Sequence, residues 1–314
     1  MSESAQGRFE QFRNFWRLHR RRILLGAGFL ALTAGSLFIF RPSPPPSALL
    51  GYLPSNDTPV FGVDVALLRK SGMLDQLAGK PGHEEPEYQQ FVAATGFDYR
   101  RDLDAVLAGL GESSAYFVLR GRFDFEKLSA YARSHGGKCT EEFCTLPGSQ
   151  PGRHVSYRML GRNLLALAAG SDVIGAVAIR KAASVPSVDP PSAPLWLNLP
   201  ASSFHPRAEL PPAYTAFIEA LDGAQRALLT VDAAPNGLQI TLSAPCADDV
   251  HARQIANRLT SATSTLKDLV ARSGEKLDAA SPAGVLAAGS FRAENNVARG
   301  TWPLSQSFLD ALAK

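Results

Sequence analysis

An α+β fold behind one membrane-spanning helix is what this sequence predicts, and three observations carry it. Residues Ile23 to Phe40 form an apolar run with no charged residue. After residue 48, short apolar stretches of strand length come in pairs joined by turn residues. Segments with apolar residues at helical spacing lie between those pairs. Hairpin-linked strands with interspersed helices imply antiparallel sheets with helices on one face.

The apolar run comes first. Eighteen residues at about 1.5 Å each cover about 27 Å, close to a hydrocarbon core of roughly 30 Å. Arg22 and Arg41 bracket it, and both can reach the headgroups. Residues 1–22 hold six arginines against Glu3 and Glu10, a net +4, and basic flanks stay in the cytoplasm. The expected topology is therefore a basic cytoplasmic tail (1–22), a transmembrane helix (23–40) and an outer part beyond the inner membrane, periplasmic or extracellular. A cleaved signal peptide fits less well. Its apolar core is shorter, and the small residues Ala34-Gly35-Ser36 lie inside the run rather than after it. In the tail, Phe9, Phe12, Phe15 and Trp16 recur among arginines. They suit either a short helix lying on anionic membrane lipid or an ordinary basic flank. Ala27, Ala31 and Gly35 form a small-residue stripe along the span. It fits a homodimer through this helix, or simply the small-residue content of any span.

Residues 41–48, RPSPPPSA, read as a stiff spacer of about 3 Å per residue. The outer part then divides at the proline-rich stretch 183–194 into two α+β halves, 49–183 and 195–314. In the first half we expect a strand at Val60–Asp64, a helix from Val65 to Leu77 and another from Glu84 to Ala94. A short helix is expected at Leu103–Leu110, capped by Asp102, then a strand at Ala115–Arg120. Asp124 should cap a helix ending at Gly136-Gly137. Strands follow at His154–Met159 and Asn163–Ala168, and Ser171 or Asp172 should cap a helix to Lys181. In the second half the order partly repeats, so the halves read as similar. Strand Leu195–Leu199 precedes helix Ala213–Leu221, and a hairpin joins Arg226–Ala233 to Leu238–Ser243. A long helix covers Ala247–Arg272, with strands at Gly284–Arg292 and Asn296–Trp302 and a closing helix at Ser305–Ala313.

Several stretches of the outer part carry a resemblance. Leu53-Pro54 to Pro59 is a turn before a strand. Gly96-Phe97-Asp98 runs on to Asp102-Leu103-Asp104. Gly121-Arg122-Phe123-Asp124 leads from strand to helix. In these the outer part resembles an uncharacterised family of single-span bacterial envelope proteins. The resemblance implies an α+β extracytoplasmic domain and an envelope location, and it brings no activity with it.

Composition bounds the chemistry. The chain carries net +3, and the +4 tail leaves −1 on the rest, so no basic stripe exists for nucleic acid. No cofactor motif is present: Gly26-x-Gly28 and Gly109-x-Gly111 are isolated fragments. The six histidines show no i, i+3 or i, i+4 pair. Asp98, Asp102 and Asp104 could converge on a cation, but Arg100 and Arg101 sit among them, and capping with ion pairs explains all five. Cys139 and Cys144 flank Thr-Glu-Glu-Phe between Gly-Gly and Pro-Gly, a hairpin tip. A disulfide across it and two free thiols both fit, and a metal half-site lacks its second pair. Cys246 is left over. No catalytic or metal residue is predicted. The leading expectation is a non-enzymatic envelope interaction or scaffold protein with an envelope protein partner. A sensor domain binding a small molecule or lipid is the alternative, and a hydrolase stands third.

The topology is directly testable. A reporter active only in the cytoplasm, fused after Lys314, should be silent. Activity would reverse the orientation.

Overall fold

Alternation along the strands sets the architecture. In this computed structural model, twelve strands join one antiparallel sheet in the order β11-β12-β10-β9-β8-β1-β2-β3-β7-β6-β5-β4. The described residues are 46–55, 57–79, 85–182, 191–205, 212–235, 237–272, 274 and 277–312. Residues 44–314 form one compact unit. The predicted span 23–40, the stripe Ala27, Ala31 and Gly35, and the tail lie outside the described residues. Among the described residues no helix is long and apolar enough to cross a membrane.

The first seven strands are β1 (Val60–Asp64), β2 (Leu103–Leu110), β3 (Ser114–Gly121), β4 (Lys138–Cys139), β5 (Phe143–Pro147), β6 (His154–Gly161) and β7 (Leu164–Gly170). The other five are β8 (Leu195–Pro200), β9 (Arg226–Ala234), β10 (Gly237–Pro245), β11 (Ser290–Glu294) and β12 (Val297–Leu304). The helices are α1 (Val65–Ser71), α2 (Met73–Ala78), α3 (Pro86–Thr95), α4 (Tyr99–Asp102), α5 (Phe125–Ser134), α6 (Pro212–Ala220), α7 (Asp249–Arg272), α8 (Pro282–Ala287) and α9 (Gln306–Leu312).

Register places one continuous apolar row on a single face. Leu242, Leu229, Leu197, Phe61, Ala108, Phe117, Leu167, Tyr157 and Cys144 are successive cross-strand partners. The helices cover that face. Val65, Leu68, Leu74, Phe217, Ile255 and Leu259 pack on its second-half end, and Leu128 and Ala132 on its first-half end. The opposite face is covered at its centre. There Leu49, Leu50 and Leu53, from the 3-10 segment Pro46–Tyr52 and the turn after it, pack with Ile179 over Leu107, Val118 and Trp196.

The two halves run in the same order: strand, helices, hairpin, helix, hairpin. In each, the third strand pairs with the last, β3 with β7 and β10 with β12. The first half adds the β4–β5 hairpin, in which Cys139 and Cys144 are register partners joined by a disulfide. The halves meet where β1 pairs with β8.

Four elements differ from the sequence reading. Leu103–Leu110 is the strand β2 and not a helix capped by Asp102. It lies between β1 and β3 with both faces covered, so it is apolar without alternation. The single helix expected from Val65 to Leu77 is broken into α1 and α2 by Gly72, at φ 75°. The helix expected after Asp172 is a 3-10 turn, Gly175–Ala178, because Ile179 must turn back into the core with no exposed area. The expected strand at Gly284–Arg292 begins as helix α8: Ser281 accepts from the Gly284 amide and Pro282 opens the first turn.

At the seam, Gly62 of β1 lies directly opposite Trp196 of β8, which is 2% exposed. A Cβ on Gly62 would overlap the indole. Gly62→Ala should therefore cost about 1–3 kcal/mol, read from the denaturant midpoint of the full chain. With Trp196→Leu already present the same change should cost less. Equal costs in both backgrounds would uncouple the two residues.

Candidate functional site: a cavity beneath α3 and α5 and the cleft beside it

Where the sheet passes under α3 and α5, two short signals fix the helices. Asp124 caps α5, its carboxylate accepting from the Lys127 amide at 3.1 Å. α5 then buries Leu128, Ser129 and Ala132. α3 opens on Pro86 and ends at Gly96, whose φ of 72° suits a residue without Cβ. Thr95 is the only residue of α3 that is fully buried. Aromatic edges attach the rest: Phe91 meets Tyr131 at 5.1 Å and 88°, and Phe97 at 6.2 Å and 73°.

These helices do not fill the space above the sheet. A cavity of about 270 Å³ remains. Leu119, Val155, Leu165 and Leu167 form its floor, and Phe91, Leu128, Tyr131 and Ala132 its roof. No charged side chain lines it. Tyr157 keeps its polar end away from the space, donating to the Leu128 carbonyl at 2.8 Å. Burial pushes that phenol up to about 12, so it stays neutral.

A cleft of about 410 Å³ adjoins the cavity, and the two share Phe97 and Phe123. Those rings stack at 5.2 Å and 17°. The cleft is lined by Arg101, Arg122, Lys127 and Arg162 against Asp102 and Asp124. Asp102 organises it. Arg101 donates to Asp102 at 2.7 Å, Arg122 at 3.0 Å and the Asp98 amide at 3.0 Å. Arg122 also donates to the Arg101 carbonyl. The Arg101 guanidinium is the main cause holding the Asp102 carboxyl down to about 2.

The rest of the acidic cluster is structural. Asp98 caps α4, accepting from the Arg100 amide at 2.9 Å and from the Tyr88 hydroxyl at 3.1 Å. Burial pushes the Tyr88 phenol up to about 12, and the Asp98 carboxylate adds to the shift. Asp104 lies 3.8 Å from Arg69, and Arg100 reaches Asp75 at 3.0 Å. Among the described residues no group of three His, Cys, Asp or Glu could hold a metal ion. Cys246 is buried and free, and burial pushes its thiol up. The sequence reading did not find the cavity. Its aromatic wall comes from positions 91, 97, 123 and 131, which no local spacing connects.

Fold and site together define an α+β protein with one large antiparallel sheet and an apolar cavity opening beside a charged cleft. No family model matches the chain, and no curated protein matches it. Among solved structures it bears a distant resemblance to TP0453. Crystal form III has a TM-score of 0.46 at 12% identity, covering 86% of this chain and 98% of that one. Form I has a TM-score of 0.44 at 13% identity, covering 87% and 100%. Form IV has a TM-score of 0.44 at 12% identity, covering 84% and 96%.

The Asp102 clamp gives a pH signature. Its folded value lies below the ordinary 3.8, so its stabilisation is complete above about pH 4 and is lost as pH falls toward about 2. It amounts to at most about 2 kcal/mol, since both arginines are open to water. Asp102→Asn should flatten the dependence of stability on pH across that window, as measured by chemical denaturation. An unchanged slope would remove the clamp.

Proposed function

We propose that this chain is a membrane-anchored envelope protein whose outer domain holds an apolar ligand in the cavity beneath α3 and α5. The cavity carries the reading. Its lining is almost wholly apolar and partly open, a surface that an apolar ligand would remove from water. At about 270 Å³ the cavity lies at the lower edge of the roughly 300–1,000 Å³ of small-molecule sites. Of its aromatic roof, Phe91 sits on α3, a helix with a single fully buried residue, and Tyr131 on α5. The anchor at 23–40 and the +4 tail support placement in the envelope, with membrane lipid beside the domain. This reading assigns no catalytic residue and needs no cofactor.

A second reading, a scaffold that grips another envelope protein, is supported by a different surface. Val173, Ile174 and Val177 are 43%, 55% and 48% exposed on one turn, beside a depression of about 730 Å³ lined by Leu53, Pro54, Val177, Arg180 and Lys181.

The test uses the full chain in its own membranes and a photoactivatable lauryl alcohol. Mapped adducts should fall on α3, α5 and β5–β7. Leu167→Trp, which fills the cavity from its floor, should lower those adducts at least about tenfold. Adducts confined to residues 23–40 would sink the proposal.

A further inference from the structure

The cavity alone would suit any small apolar molecule. The cleft beside it narrows the class, and this inference rests on the ligand-binding reading above. Phe97 and Phe123 line both spaces, so one molecule can lie partly in each. On the cavity side the walls are apolar and the room suits one alkyl chain rather than two. On the cleft side four cationic groups face two carboxylates. Arg101 and Arg122 share Asp102, and Lys127 reaches Asp124 at 3.5 Å. Arg162 is exposed on the β6–β7 turn and has no ion-pair partner among the described residues. The cleft therefore carries a surplus of two positive charges beside an aromatic threshold.

We infer that the site takes a single-chain anionic amphiphile, its alkyl chain in the cavity and its acid group in the cleft among Lys127, Arg162 and the two arginines on Asp102. The chemistry on both sides of the threshold matches. An acid group left inside the cavity would find no donor there, and an alkyl chain left in the cleft would lie among charges. The stacked rings of Phe97 and Phe123 flank the first carbons of the chain where the two spaces meet, and the chain runs past them. Phe97 follows the left-handed Gly96, and α3 is held over the site by the aromatic edges at Phe91 and by the Tyr88 hydroxyl, which donates to Asp98 and accepts from the Tyr99 amide. A fatty carboxylate and a single-chain phosphate ester both satisfy this arrangement.

The experiment compares photoactivatable lauric acid, photoactivatable lauryl phosphate and photoactivatable lauryl alcohol on the full chain in native membranes. Adducts are mapped and counted on the cavity peptides alone. The acid or the phosphate should label them more than the alcohol does, and the stronger of the two names the head group. Lys127→Glu with Arg162→Glu should lower the ratio of anionic to alcohol labelling at least about tenfold. Both positions are exposed, so the fold should tolerate the change, and an unchanged melting curve verifies it. Leu167→Trp should abolish labelling by all three probes, and Val155→Phe is the alternative filler if that protein does not fold. Cavity labelling by the alcohol with a ratio that ignores the charge reversal would overturn this inference and leave the apolar-ligand reading standing. Loss of cavity labelling by every probe in the native chain would overturn both.

Discussion

Everything in this sheet depends on one close approach, Trp196 lying over Gly62. The chain's two halves each begin with the strand that must sit at the centre, and those strands pair with each other. A twelve-stranded sheet made from two shorter ones needs its middle pair to be its firmest. The firmness comes from size: a glycine on one strand leaves the space that the largest side chain on the next one occupies. Trp196 then becomes the platform for what covers the centre of that face. Leu49, Leu50 and Leu53 arrive from the start of the domain and Ile179 from the middle of the chain, and both segments settle on the same small cluster. The segment Pro46–Tyr52, whose first residues the sequence reading assigned to a stiff spacer, thus packs on the domain through Leu49 and Leu50.

The helices over the first half of the sheet follow the opposite logic. Over the second half of the sheet, the 24-residue α7 fills its groove with Ile255, Leu259 and Leu266. Over the first half, α3 and α5 are ten residues each, and α3 is held by ring edges and by the Tyr88 hydroxyl on Asp98. Short helices over a wide sheet leave room. Asp102 sits where that room meets solvent, and the arginines it gathers give the opening its charge. The sheet supplies rigidity, and the thin helical cover supplies access.

How much of this is legible in the sequence varies with physical cause. The hairpins at His154–Ala168 and Arg226–Ser243 read correctly because the turn residues at Gly161 and at Pro235-Asn236-Gly237 mark them locally. Asp124 as a helix cap reads correctly because a cap is a local interaction. Leu103–Leu110 misleads because a strand covered on both faces has no alternation to show. The Ser281-Pro282 start of α8 was available as a signal and was masked by Val285 and Leu286, which suit a strand equally well. The pair Cys139 and Cys144 reads as a hairpin tip from its neighbours alone. The acidic cluster at 98–104 was legible as capping and ion pairs, but its link to Arg122 was not. The cavity could not be read at all, since Phe91, Phe97, Phe123 and Tyr131 converge only after β2, β3 and two helices are in place.

A sheet this wide still ends in two unpaired backbone rims, and unpaired rims invite further strands, including those of misfolded neighbours. Both rims are blunted here. At one end Arg292 and Glu294 of β11 form an ion pair, with Arg299 of β12 joining the same carboxylate, so an incoming strand meets charge. At the other end the outermost strand is β4, only two residues long, pinned to β5 by the Cys139–Cys144 bond. The bond's consequence therefore reaches beyond the hairpin. Reduction would leave β4 held by its two register pairs alone and loosen its cover over Cys144 and Thr145, the part of β5 it shields from an incoming strand. In that respect the small loop it closes matters less than the border it guards.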